Sequence, residues 1–185
     1  SFLGTLAGYW GGWLDVFLSR ILDTIMAFPL FVLAMGIVAT LGNTIENIIY
    51  ATAIINIPFY ARLVRAEVNI RREASFVHAA KMAGNSEFKI LAIHIFPNTL
   101  PPMMVQVSLN LGWAILNAAG LSFIGLGVRP PTPEWGIMVA EGANFIISGE
   151  WWLALFPGLW LMLAVLTFNL LGDGLRDIFD PRKRV

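Results

Sequence analysis

The sequence predicts an all-α integral membrane protein, a polytopic helical bundle, and two observations carry that prediction. Hydrophobic residues make up 57% of the 185 and charged residues only 13%, where a soluble domain carries about 25%. Mean hydropathy is +0.72. The charges are also bunched, with no Asp, Glu, Lys or Arg in 24–45, in 90–128 or in 151–172. A helix crossing the hydrocarbon core needs about 20 apolar residues, and these stretches are of that order. The same composition excludes a soluble globular fold and intrinsic disorder. With 12 basic against 12 acidic residues the formal charge is zero, so nothing points to nucleic acid as a partner. Cysteine is absent, which excludes disulfides, thiolate metal sites and thiol nucleophiles.

Taken in order, residues 1–12 (SFLGTLAGYWGG) read as the end of a preceding membrane helix, closed by Gly11-Gly12. The chain opens at Ser1 and stays uncharged from Phe2 to Leu14. Without a basic n-region this is no signal peptide, and an N-terminally truncated chain is expected. Asp15, Arg20 and Asp23 then mark an interfacial lead-in to a first span at about 24–41, which Pro29 should kink. Gly42-Asn43-Thr44 forms the turn.

The second span is expected at about 45–64. Its uncharged core, 47–61, is short, so Arg62 and Arg65 should snorkel to the interface. Asn56 and Pro58 inside it permit a bend. A third span at about 99–123 is opened by Pro97, Pro101 and Pro102, which suit a first helical turn. The fourth, about 151–171, begins with Trp151 and Trp152 as interfacial anchors, and 173–185 is a polar tail.

Orientation follows from the basic residues. Arg62, Arg65, Arg71, Arg72, Lys81 and Lys89 lie in 62–89, and Arg176, Arg182, Lys183 and Arg184 in the tail. The 128–150 loop has only Arg129 against Glu134, Glu141 and Glu150. Two spans separate the basic segments, so both fall on one side, and the positive-inside rule makes that side cytoplasmic.

The segment 65–96 reads as folded. Ala79, Ala80, Ala83 and Gly84 share a helical face that another surface could approach closely. Gly84 suits the position after a helix C-terminus, and Ser86 with Glu87 suits the start of a second helix leading to Pro97. A docking surface and a compact loop helix packed on its own spans fit this pattern equally.

The string HAAKMAGNSEFKILAIHIFPN at 78–98 resembles the cytoplasmic coupling segment of ABC importer permeases, of general form EAA, three residues, Gly, nine residues, I-x-L-P. Ala79-Ala80, Gly84 and Pro97 fall at the matching positions. GTLAGYWGGWLDVFLSRILDTIMAFP at 4–29, LSFIGLGVRPPTPEWG at 121–136 and FNLLGDGLRDIFDPR at 168–182 are similar to the dipeptide, oligopeptide and nickel branch of that family. The resemblance spans essentially the whole chain. It departs at His78, in the Glu position, and at His94, in the Ile position. The first departure leaves the implied docking role standing but not the specific salt bridge that a Glu would make there.

The resemblance implies a type I ABC importer transmembrane domain over 13–172, in a bacterial or archaeal cytoplasmic (inner) membrane. Residues 65–96 would be its coupling segment. Phe76, Val77, His78, Ala79, Ala80, Ala83, Gly84, Asn85 and Pro97 would dock an ABC ATPase subunit. The further partners implied are a second homologous permease completing the pore and an external solute-binding protein. ATP and Mg would sit on the ATPase, with no cofactor on this chain. Di- or oligopeptides are the expected cargo, with nickel chelates or glutathione as alternatives in the same family.

Gln106, Asn110 and Asn117 share a face of the third span. Polar groups are costly in lipid, so that face should line the pore or pack on another helix. Gly112, Ala114, Ala118 and Gly120 favour close packing there. The outer loop, with Pro130, Pro131, Pro133 and Trp135, should fold over the external mouth. His78 and His94 have no companion ligands, so a metal site is not expected. An intramembrane enzyme would need HExxH, paired Asp, or Ser with His at membrane depth, and none is present. A structural or assembly subunit shares the composition but gives no reason for a capped, small-faced cytoplasmic helix.

Overall fold

Inside a bilayer no water is available to backbone N–H and C=O groups, so a spanning segment must satisfy them itself. The computed structural model describes residues 2–179, and helices are the only regular structure among them. In chain order they are α1 (Phe2–Trp10), α2 (Gly12–Met26), α3 (Leu30–Leu41), α4 (Ile45–Arg72) and α5 (Ser75–Met82). After these come α6 (Glu87–Lys89), a π-helical segment (Ile90–Ile95), α7 (Phe96–Phe123), α8 (Trp135–Ala143) and α9 (Trp152–Phe179). Three helical runs are long and apolar enough to cross a membrane: α4, the continuous Glu87–Phe123, and Trp152–Ile178. The pair α2 and α3 adds a fourth if it counts as one span, for the two are bent by 80°.

Several breaks have clear local causes. Gly11 (φ +64°) and Gly12 (φ +59°) take the left-handed conformation that separates α1 from α2. The kink expected at Pro29 is a complete break. Pro29 has no N–H to donate and holds extended backbone (ψ 118°) ahead of Leu30, so α3 starts afresh. Pro97 stands in the first turn of α7, whereas Pro101 and Pro102 lie inside that helix. All three lie within the continuous helix that starts at Glu87, and the π-helical segment sits just before Pro97. The α4 helix runs past the expected end of its span to Arg72, and α9 runs on to Phe179. Asp180, Arg182, Lys183 and Arg184 lie outside the described residues.

The chain divides into two units. One comprises 2–27, 56–105 and Phe179 of the described residues. Its core is Val64, Val68, Val77, Ala80, Ile90, Leu91 and Ile95, with Tyr9 and Met103 against it. Here α1 lies very close to α4. A Cβ at Gly4 would overlap the Ala61 carbonyl, and one at Gly8 would come within 2.8 Å of the Arg65 carbonyl. Small residues four apart permit this approach of two backbones.

The other unit comprises 28–55 and 106–178, built on Ala34, Val38, Ile48, Ala51, Ile55, Leu121, Val128 and Ile137. The 128–150 loop contains α8, capped by the Glu134 carboxylate, which accepts the Ile137 N–H at 3.0 Å. Gly136 seats α8 on the backbone at Ala119, and Gly142 seats it on the backbone at Leu153 and Ala154. The Asn43 side chain donates to the Gly125 carbonyl at 3.2 Å, tying the turn before α4 to the loop after α7.

Candidate functional site

The segment that follows α4 is built around a short helix with an apolar side. Val77 (0% exposed) and Ala80 (8%) are one turn apart and enter the core beside Val64, Val68 and Ile90. Full burial of a valine side chain contributes about 1.5–3 kcal/mol, enough to hold so short an element in place. The helix then ends in a Schellman arrangement. The Gly84 N–H donates to the Lys81 carbonyl at 3.0 Å, and the Asn85 N–H to the Ala80 carbonyl at 3.2 Å. Gly84 supplies the left-handed turn at φ +75°. The Asn85 side chain reaches the same Ala80 carbonyl at 3.1 Å, a second lock on that end.

Ser86 opens the next helix, its hydroxyl accepting the Lys89 N–H at 3.4 Å. Through Ile90–Ile95 the bonding changes, and the Phe96 N–H donates back five residues to Leu91. Beyond it the Thr99 hydroxyl donates to the Phe96 carbonyl at 2.7 Å, and Asn98 to the His94 carbonyl at 2.6 Å. These side chains supply hydrogen bonds near the prolines that lack an N–H.

Two ion pairs fix α2 on the end of α4. Asp15 meets Arg65 at 2.5 Å, and Asp23 meets Arg62 at 2.5 Å. Arg62 and Arg65 therefore do not simply snorkel: each finds a carboxylate. Arg72 donates to the Gly8 carbonyl at 3.2 Å, and Arg71 pairs with Glu67 one turn before it.

The nine residues expected to dock a partner fall into two groups. Val77 and Ala80 face the chain's own core, so the face shared by Ala79, Ala80, Ala83 and Gly84 is only partly open. Phe76, His78, Ala79, Ala83, Gly84 and Pro97 are exposed, and Asn85 is half-buried at the cap. Two further residues belong with the exposed group. Met82 is 85% exposed and Phe88 is 74% exposed, large apolar side chains on either side of the turn. A sequence signal existed for Met82, which lies off the 77/80 stripe of α5, whereas Phe88 belongs to α6 beyond the turn.

Gln106, Asn110 and Asn117 lie on α7, in the second unit, and all three are half-buried. Asn110 has an interaction partner within the chain. The close approach of α7 and α9 is made nearby at Gly112, which faces Val165 and the Asn169 side chain. Among the described residues no three His, Cys, Asp or Glu gather into a metal site.

The whole chain, residues 1–185, matches the family described as binding-protein-dependent transport system inner membrane component, and the chain belongs to it. It is 49% identical over 182 residues to a dipeptide transport system permease protein of Alkalihalophilus pseudofirmus, across 98% of this chain and 60% of that protein. A probable D,D-dipeptide transport system permease protein of Escherichia coli is 46% identical over 182 residues, 98% of this chain and 61% of that one. A glutathione transport system permease protein of Pectobacterium atrosepticum is 43% identical over 180 residues, 97% and 60%. The chain thus spans about 60% of the length of these relatives. As a permease-family membrane component it is a multi-pass membrane protein and not an enzyme.

Proposed function

We propose that this chain is the membrane-spanning permease subunit of an ATP-driven importer whose cargo is di- or oligopeptides. It forms half of the translocation pore, with a second homologous permease as the other half. An external solute-binding protein delivers cargo, and separate ATPase subunits carry ATP and Mg. Residues 65–96 and the C-terminus are cytoplasmic, 128–150 is external, and 13–172 is the transporter domain. The polar face of Gln106, Asn110 and Asn117 lines the pathway.

The observation that supports ATPase docking is the construction of α5. Val77 and Ala80 anchor it, the Gly84 cap ends it, and Phe76, Ala79, Met82 and Ala83 stay open. An anchored, capped helix moves as a body, as coupling between subunits requires. Peptide cargo rests on the dipeptide relatives; the glutathione relatives support glutathione as the second reading.

The chain has no cysteine, so a single Cys at Ala83 can carry a photo-crosslinker in native membranes. Capture of a protein bearing GxxxxGK[ST] is the expected result. Clean labelling without such a partner would remove the docking role and favour a structural subunit.

A further inference from the structure

Beside the docking helix the first unit holds a cavity of about 280 Å³, lined by Tyr9, Trp10, Arg72, Glu73, Lys81 and Glu87. That is close to the lower end of small-ligand sites, about 300–1,000 Å³. Its lining is unusual for this chain: two cations and two carboxylates in a protein with only 13% charged residues.

Two of these charges are spent on each other and two are not. Arg72 is held, its Nε on Glu73 at 3.2 Å and its Nη1 on the Gly8 carbonyl at 3.2 Å. Among the described residues, however, neither Lys81 nor Glu87 has an ion-pair partner. The Tyr9 hydroxyl is buried and also lacks a hydrogen-bond partner. Leaving a buried polar group unsatisfied is unfavourable, and a ligand reaching it would recover that loss. Trp10 stands edge-on to Tyr9 at 5.2 Å and remains 47% exposed at the rim.

A simple anion would meet two carboxylates here and a simple cation would meet Arg72 and Lys81. A ligand carrying both charges a few ångströms apart is repelled by neither. The cavity lies at the end of α4, a helix apolar enough to cross the bilayer, where basic residues and Trp sit at headgroup depth. We infer that this cavity binds the zwitterionic phosphoethanolamine headgroup of a membrane phospholipid. Arg72 and Lys81 take its phosphate, Glu87 takes its ammonium, and Trp10 lies against the glycerol end. The inference needs the membrane placement alone and does not depend on transport, cargo or orientation.

The test uses the full chain purified in detergent, stripped of lipid, and re-exposed separately to phosphatidylethanolamine, phosphatidylglycerol, phosphatidylcholine and soluble O-phosphoethanolamine. Bound molecules are counted by native mass spectrometry. Phosphatidylethanolamine should be retained about tenfold better than the other three, and Lys81→Met and Glu87→Gln should each erase about tenfold of that. Both positions are exposed, so neither variant should lose its fold, and an unchanged unfolding temperature in lipid-free detergent verifies this. Equal retention of phosphatidylglycerol would overturn the ammonium contact. Equal binding of soluble phosphoethanolamine would overturn the lipid assignment, and indifference to both substitutions would overturn the site.

Discussion

Gly4 has no side chain to contribute, and that lack is what brings α1 against α4. A methyl group there would overlap the Ala61 carbonyl. Overpacking of this kind costs about 1–3 kcal/mol, so Gly4→Ala should lower the unfolding temperature measured in detergent. At Gly36 an added Cβ meets nothing within 4 Å, so Gly36→Ala should leave that temperature unchanged or raise it. The two ion pairs differ in the same graded way. In Asp23–Arg62 both side chains are nearly half exposed, at 46% and 49%, whereas Asp15 is only 17% exposed beside Arg65. Arg62→Met should cost no more than about 1 kcal/mol. Arg65→Met leaves a largely enclosed carboxylate without its partner and should cost more, and the same melts rank the two. None of this was legible beforehand. The sequence shows Gly4 and Gly8 four apart but not what they face, and it shows four charges without saying which ones pair.

For the elements, the outcome depends on whether the determinant is local. The stop at Gly84 and the start at Ser86 were readable because caps are made by neighbouring residues. Two of the three long apolar runs, Glu87–Phe123 and Trp152–Ile178, were readable as stretches nearly free of charge, and α4 only as a short uncharged core. The α8 helix was missed because its cap is a Glu, an uncommon choice, set behind a proline-rich run that reads as loop. The 80° break after α2 was visible only as a kink at Pro29, since proline fixes one φ angle and leaves the new direction to packing. At Gly84 the left-handed backbone makes a prediction of its own. A β-branched residue there pays about 1–2 kcal/mol of strain, so Gly84→Val should loosen the end of α5 and abolish uptake while the protein remains in the membrane. Gly84→Asn, which tolerates that conformation better, should retain most uptake. Normal uptake by the valine variant would count against a coupling role for α5.

For the whole molecule, class and membrane character were written in composition, because hydrocarbon sets an energetic threshold that no local detail overrides. Which polar residues face a pathway was not so written. Gln106, Asn110 and Asn117 share a helix face, and helix faces serve packing and pathway alike. Sidedness has a direct test, since the chain contains no cysteine. A Cys at Met82 should react with an impermeant maleimide only after cells are opened, and one at Thr132 should react in intact cells. Both positions are exposed, so access within the chain does not limit either reaction. The reverse labelling pattern would invert the topology.

The π-helical run from Ile90 to Ile95 has a consequence for insertions and deletions. A π turn holds one more residue than the α turn it replaces, and one residue corresponds to about 100° of rotation about the axis. Deleting Ala92 would let the run close into plain α-helix without breaking the rod. Because the residue lost is the surplus one, the segment before it, the capped α5 helix included, would keep its aim relative to α7. Val77 and Ala80 would still reach Val64 and Val68. The run is therefore a slack turn, a single surplus residue that the rod can lose without changing which way the segment before it points.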